Sequence, residues 1–256
     1  MTSPTSNARN DGEFVTPLRV LDLFSGIGGF SLGLERTGGF ETVAFCEIDP
    51  FCRRVLAKHW PHVRQFEDVT KLKGEDVGPV DVICGGFPCQ DISLSGKGAG
   101  LDGERSGLWR EFARLIGELR PDYVLVENVA ALLGRGLGDV LGDLAALGYD
   151  AEWHCIPASY AGARQLRDRV WIMAHAASVQ LQGWPAIAAA WGQQSRAEQL
   201  AGLVQPCAWP TISSVADHGT GHGVPDGIHR LRALGNSVVP QIPELLGRSL
   251  LQARAA

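Results

Sequence analysis

The chain has 256 residues, 45% of them hydrophobic and 20% charged, with 23 Lys+Arg against 28 Asp+Glu for a formal net charge of −5. This composition excludes a disordered or fibrous chain, and the length confines it to one large domain with at most a small appendage. No apolar run approaches the roughly 20 residues of a membrane-spanning helix, and the Ser/Thr/Asn-rich start lacks a signal peptide's apolar stretch, so residues 1–17 are expected as a tail and the protein in the cytoplasm.

From residue 18 the pattern is strand, turn, helix, repeated. Strands are predicted at Arg19 to Phe24, Thr42 to Cys46, Val80 to Cys84, Tyr123 to Glu127 and Val170 to Met173. Helices are predicted at Phe30 to Arg36, Pro50 to Trp60, Leu108 to Leu119 and Leu137 to Leu147. Continuous apolar strands alternating with amphipathic helices predict a doubly wound, mostly parallel α/β sheet. After residue 174 the regularity fails. Residues 175–229 mix Gly, Gln, Ser, Pro and His with Trp184, Trp191 and Trp209, and offer one short helix near Ala186 to Trp191. Order is expected to return at Leu231, with a closing helix from Pro243 to Ala253.

Six cysteines (Cys46, Cys52, Cys84, Cys89, Cys155, Cys207) include no Cys-x-x-Cys pair and are expected as free thiols, most of them small buried hydrophobes. Charge is uneven: residues 1–159 hold 15 Lys+Arg against 23 Asp+Glu, whereas 160–256 hold 8, all Arg, against 5. A basic later part suits contact with phosphate, although solvated helix faces give the same sums.

Four segments carry chemistry. In Asp22-Leu-Phe-Ser-Gly-Ile-Gly-Gly-Phe30 a strand ends in a glycine turn that opens a helix, a place where backbone approaches a ligand closely. Glu47 follows Gly26 by 21 residues, where a Rossmann-type fold places its ribose-binding carboxylate, so a nucleoside cofactor is implied. Ser31 in the third-glycine position argues against a dinucleotide. Cys89, in Gly85-Gly-Phe-Pro-Cys-Gln-Asp-Ile-Ser93, falls at the carboxyl end of a strand, beside the glycine turn and before a Gly-rich stretch that reads as a lid. Glu127 in Glu-Asn-Val ends another strand, where an acid must be paired, protonated or working on a ligand. Arg167 and Arg169, two apart, would share one face of extended chain. His218 and His222 read as loop residues and not as a metal site.

Phe24-Ser-Gly-Ile-Gly-Gly, Pro88-Cys89-Gln, Glu127-Asn-Val, Gln165-x-Arg-x-Arg169 and Leu234-Gly-Asn-Ser-Val-Val-Pro240 occur in the order of the DNA (cytosine-5) methyltransferase family, and the chain resembles its compact bacterial and phage members. The resemblance implies S-adenosyl-L-methionine as cofactor, with its methionine end near Phe24, Gly26, Ile27, Gly28 and Gly29, its ribose on Glu47, and its adenine near Ile48, Asp68 and Val69. Pro88, Leu108, Asn236, Ser237 and Val238 would complete the pocket. It implies a domain over 18–174, a short target-recognition region over 175–229, and a closing segment over 230–256.

In the implied chemistry the Cys89 thiolate adds at C6 of a flipped cytosine, Glu127 holds the N3/N4 edge, Arg169 and Arg167 stabilise the activated ring, and C5 takes the methyl group. Gln90, Ser93, Ser95 and Lys97 of the lid, with Arg196, Arg230 and Arg232, would face double-stranded DNA. The 55 positions of the recognition region are few for this family, which keeps two alternatives open. One is the family's tRNA-methylating branch. The other is a split or regulatory pair in which a second chain supplies target recognition; a monomer is expected otherwise.

Overall fold

A computed structural model describes residues 16–88, 107–161, 167–179 and 227–255. In chain order these form β1 (Leu18–Leu23), α1 (Gly29–Glu35), β2 (Phe40–Cys46), α2 (Pro50–His59), β3 (Arg64–Phe66), α3 (Gly74–Val77) and β4 (Val82–Gly85). Then follow α4 (Gly107–Leu119), β5 (Tyr123–Val129), α5 (Leu132–Arg135), α6 (Leu137–Ala146), β6 (Tyr149–Pro157), a 3-10 turn (Ala158–Ala161), β7 (Asp168–Ala176), α7 (Gly227–Asn236) and α8 (Gln241–Ala255).

The seven strands make one sheet in the order β3-β2-β1-β4-β5-β7-β6. Strands β1 to β5 run parallel, whereas β7 is antiparallel to both β5 and β6. Each central strand feeds a core on both faces. Val20, Val82, Leu125 and Met173 meet Phe30 and Leu34 of α1 and Ile242, Leu246 and Leu250 of α8. On the other face Leu21, Ile83, Val124 and Ile172 meet Trp109, Phe112 and Ile116 of α4 and Val140 and Leu144 of α6. Full burial of each such side chain contributes about 1.5–3 kcal/mol, which explains why these strands read as uninterrupted apolar runs.

Strand order reverses between β1 and β4: the chain steps outward from β1 to β2 and β3, then crosses back to β4. In an open α/β sheet this reversal leaves a crevice at the strands' carboxyl ends, where the glycine turn after β1 and the loop after β4 both lie. Asp49 caps α2, accepting the amides of Phe51 at 2.7 Å and Cys52 at 3.3 Å, and Pro50 takes the first helical position.

Several expectations are corrected. The sequence pattern gives no strand at β6, because Asp150, Trp153 and Cys155 are exposed and blur its alternation. The three residues of β3 are too few to show a period. The late strand runs from Asp168 to Ala176 and α7 begins at Gly227, ahead of the expected return at Leu231. Cys46, Cys52 and Cys84 are free and buried; Cys155 is free but exposed. The predicted helix near 186–191, Trp184, Trp191, Trp209, Cys207, His218 and His222 lie outside the described residues. Among the described residues no helix is long and apolar enough to cross a membrane, and no three His, Cys, Asp or Glu side chains form a candidate metal site.

Candidate functional site

After β1 the backbone turns through the left-handed region at Phe24 (φ 53°), Gly26 (φ 55°) and Gly28 (φ 85°). Phe24 is the costly one, since a non-glycine residue there is uncommon and persists only where its surroundings hold it. Its ring packs on Phe112 of α4, centroids 6.4 Å apart, one turn beyond the partly exposed Leu108. The Ser25 hydroxyl donates to the Asp22 carbonyl at 2.6 Å, and the Gly28 amide to the Ser25 carbonyl at 2.8 Å.

Glu47, just past β2, spans two strand ends. Its Oε2 accepts the Gly26 amide and its Oε1 the Asp49 amide, each at 2.7 Å. A carboxylate oxygen accepts more than one hydrogen bond, so both oxygens keep capacity for further donors. Ile48 next to it is 74% exposed, a large apolar side chain left uncovered beside a carboxylate. The Glu47 amide donates to the Phe66 carbonyl at 2.9 Å, which brings the end of β3, and with it Asp68 and buried Val69, to the same edge. Asp68 accepts the Thr70 amide and hydroxyl at 3.0 and 2.7 Å, and these bonds, with Lys71 3.3 Å away, lower its pKa.

Gly29 makes room for the closing segment: a Cβ there would lie 2.5 Å from the Val238 carbonyl oxygen and 3.2 Å from the Ser237 hydroxyl. Ser237 and Val238 thus return to the glycine turn, while Asn236 stands exposed at the end of α7. Ile27 is partly exposed in the turn, and Pro88 is exposed at the end of the described loop after β4.

The second centre lies at the end of β5. Glu127 is buried, and Arg169 Nε of β7 donates to its Oε1 at 2.8 Å. Burial raises its pKa, against the opposing charges of Arg169 and Arg167. Gly86 admits the carboxylate, since a Cβ there would stand 2.8 Å from Glu127 Oε2. Asn128 Nδ2 donates to the Phe87 carbonyl at 3.1 Å and its Oδ1 accepts the Val129 amide at 2.8 Å, tying the end of β5 to the loop that leads into Cys89. Cys89 itself, with Gln90, Ser93, Ser95, Lys97 and Arg196, lies outside the described residues. The shared-face reading of Arg167 and Arg169 is corrected: Arg167 precedes β7 with φ 27°, so strand alternation does not align them, yet both act on Glu127 electrostatically.

Sequence reading missed Asp22, Gly86 and Asn128 as individual site residues. Asp22 is almost wholly buried in β1; its Oδ2 accepts the Ser31 hydroxyl at 2.8 Å and its Oδ1 has no hydrogen-bond partner. Burial pushes its pKa up to about 7, and the Cys84 thiol beside it is also pushed up by burial. A lone acid inside the run Val-Leu-Asp-Leu was the available signal. Arg230 and Arg232 both belong to α7; Arg232 is exposed and its charge reaches Cys52 of α2. The His229 ring stacks on Phe51, centroids 6.1 Å apart, which places α7 beside the start of α2, on the Glu47 side.

The sequence model of C-5 cytosine-specific DNA methylase matches residues 18–213. Among curated relatives, the chain is 37% identical over 165 residues to the Type II methyltransferase M2.BsuMI of Bacillus subtilis, covering 61% of this chain and 42% of that one. It is 36% identical over 162 residues to the Type II methyltransferase M1.ScrFI of Lactococcus lactis, covering 60% and 41%. The chain therefore spans less than half the length of these relatives. Among solved structures, one described as a DNA modification methyltransferase encoded within an E. coli prophage aligns at a TM-score of 0.56 and 29% identity over 66% of this chain and 50% of that one. Spodoptera frugiperda DNMT2 aligns at 0.55 and 22% identity, covering 64% and 51%, a likeness of fold.

Proposed function

The chain belongs to the C-5 cytosine-specific DNA methylase family, and from that premise we propose that it transfers a methyl group from S-adenosyl-L-methionine to C5 of a cytosine in DNA. The observation that carries the reading is the juxtaposition of Glu127 and Arg169 at 2.8 Å with Asn128 anchoring the loop into Cys89. It puts a carboxyl group and a guanidinium at one end of neighbouring strands, beside the segment that leads in sequence to Cys89.

The residues at the glycine turn fit the cofactor. Glu47 retains acceptor capacity for two ribose hydroxyls, exposed Ile48 offers an apolar surface to a flat base, and the space beside Gly26 is open, with nothing within 4 Å of a Cβ placed there. Phe24, Ile27, Gly28, Ser237 and Val238 would enclose the methionine end, with Asp68 and Val69 beyond the base and Pro88 and Leu108 closing the side. When bound, S-adenosyl-L-methionine supplies an electrophilic methyl group on a sulfonium.

Cytosine C5 is a poor nucleophile, and Cys89 corrects this. Its thiolate forms a bond to C6, which pushes electron density onto C5. Glu127, with its pKa raised by burial, takes the proton needed to hydrogen-bond N3 and neutralise the charge that develops there. Arg169 orients that carboxyl group and, with Arg167, keeps a positive field over the ring. Once C5 has accepted the methyl group, loss of the C5 proton expels the Cys89 thiolate and restores the aromatic ring. A cytosine stacked in a duplex must be flipped out to reach these groups. The DNA face is assigned to the 90–107 lid, to 175–229, and to Arg230 and Arg232. The catalytic and cofactor domain is assigned to 18–174 and the closing segment to 230–256.

Bisulfite sequencing of DNA from cells expressing this chain alone tests the reading, with 5-fluorocytosine DNA as a covalent trap. Methylated cytosines in one short context and an adduct abolished by Cys89→Ser are expected. An adduct that survives Cys89→Ser, or methyl transfer to tRNA alone, overturns it. Methylation that awaits a second protein would assign target choice to that protein.

A further inference from the structure

The edge assigned to the base is a turn, and a turn has to be held in place. Past β3 the chain runs through Asp68 and Val69 to Leu72 and enters α3 at Gly74. Its own hydrogen bonds converge on Asp68: the Lys71 and Leu72 amides donate to the Asp68 carbonyl, each at 3.1 Å, and the Thr70 amide to Oδ1 at 3.0 Å. Val69 and Leu72 are buried, so their carbonyls need donors as well.

One side chain from another element meets both. Arg114 Nη2, on α4, donates to the Leu72 carbonyl at 2.7 Å and to the Val69 carbonyl at 3.1 Å, contacts that span 42 and 45 residues. The rest of the guanidinium is fixed from its own helix: Nε donates to Glu111 Oε2 at 2.7 Å and Nη1 to Glu118 Oε1 at 2.6 Å. Glu118 reaches the far end of the turn with its other oxygen, Oε2, which accepts the Gly74 amide at 2.7 Å. Steps of three and four residues put 111, 114 and 118 on one helix face, which is what lets them act together.

A planar guanidinium with five donors can serve two carbonyls and two carboxylates at once, whereas an ammonium is a single point. Its two carboxylates neutralise it, so Arg114 acts on the turn through directed bonds. Two residues earlier, Phe112 stacks on Phe24. A single helix therefore backs the glycine turn through a ring contact and the 68–72 turn through a side-chain clamp.

We propose that Arg114 is a positioning residue for the cofactor: by clamping the Val69 and Leu72 carbonyls it sets where Asp68 and Val69 stand against the base. This rests on the assignment of S-adenosyl-L-methionine to the crevice. Asp68, held as an acceptor by its lowered pKa, would suit the amino group of adenine and oppose the oxo group of hypoxanthine.

Calorimetry on the full chain tests this without catalysis, using S-adenosyl-L-homocysteine, the demethylated cofactor, and its hypoxanthine counterpart S-inosyl-L-homocysteine. The natural chain should bind the first and prefer it to the second. Arg114→Met keeps the stem and removes every donor. It should bind S-adenosyl-L-homocysteine about tenfold more weakly, on the order of one lost hydrogen-bonding group, and lose most of the preference for adenine. In deuterium exchange the Lys71 and Leu72 amides should open in this variant while those of β1 and β5 keep their protection. A merely structural role would weaken both nucleosides equally, so a drop in affinity with the preference intact overturns the proposal. Arg114→Lys covers the case in which the methionine variant does not fold: an ammonium cannot hold both carbonyls, and affinity should fall about threefold with the same shift in preference. Unchanged affinity and preference in either folded variant overturn the proposal alone. A natural chain that binds neither nucleoside overturns the cofactor assignment, and the proposal with it.

Discussion

Asp22 and Glu127 are both buried carboxyl groups at strand ends of one sheet, and burial raises the pKa of both. Their company differs. Around Asp22 stand the Ser31 hydroxyl and the Cys84 thiol, with Glu47 and Glu35 adding to the rise. Around Glu127 stand two guanidinium groups that oppose it. At Asp22 no cation opposes the rise; at Glu127 two cations oppose it and burial still prevails. A carboxyl group that is merely buried can serve the fold, whereas one held between burial and an aimed cation is set to exchange a proton with a ligand.

The largest expected effect tests the first half of this contrast. Asp22 titrates at about 7 in the folded chain against 3.8 ordinarily, so the native state binds the proton more tightly. The contribution of Asp22 to stability should be greatest below about pH 4, fall as pH rises through the window from 4 to 7, and level off above it. The shift corresponds to at most about 4 kcal/mol. Urea midpoints measured from pH 4 to 8 should show this slope in the natural chain and lose most of it in Asp22→Asn. Equal slopes would mean that Asp22 is ionised when folded.

The second half is tested by Glu127→Gln, which keeps the shape and removes both the titrating proton and the charge facing Arg169. Single-turnover methyl transfer should drop at least about 100-fold, the range for a lost general acid, while cofactor affinity by calorimetry stays within about twofold. A loss of cofactor affinity as large as the loss of rate would put Glu127 on the wrong side of the comparison.

Glu47 is a third carboxylate, neither buried like Asp22 nor paired with a cation like Glu127. Glu47→Ala should weaken cofactor binding by about 1.5–3 kcal/mol, read by calorimetry, because it removes the acceptor proposed for the ribose and strips the Gly26 and Asp49 amides of their partner. Unchanged affinity in a folded variant would remove Glu47 from the cofactor site.

The parallel half of the sheet was legible because β1, β4 and β5 are buried on both faces and their apolar runs end in glycine or acid. The outer strands were not. β3 pairs through only three residues, and β6 mixes Glu152 and His154 with Trp153 on an edge that imposes no burial pattern. In the site, Glu47 and Glu127 could be found because spacing and strand ends predict where a carboxylate must act. Asn128 could not, since its work is a side-chain bond to the Phe87 carbonyl across 41 residues, and neither could Gly86, whose need comes from a neighbouring strand. Cross-strand contacts of this kind leave no local period.

The smallest expected effect concerns how the closing segment reaches the cofactor side. Gly33 of α1 lies against the start of α8: a Cβ there would overlap the Pro240 carbonyl oxygen and stand 2.9 Å from Pro243 Cβ and 3.0 Å from the Glu244 amide. Gly33→Ala gains about 1 kcal/mol of helix propensity and meets about 1–3 kcal/mol of overpacking, a net loss of about 1 kcal/mol that thermal unfolding can measure. The strain must move backbone, because the first obstacle is a carbonyl oxygen, and the backbone it moves leads directly to Val238 and Ser237. Cofactor affinity should therefore weaken a few-fold while the rate at saturating cofactor holds, since Glu127 and Arg169 are anchored on β5 and β7 and on each other. If the saturated rate falls with the affinity, the two centres share one mechanical support, and the separation between a cofactor side held by packing and a reaction side held by charge does not stand.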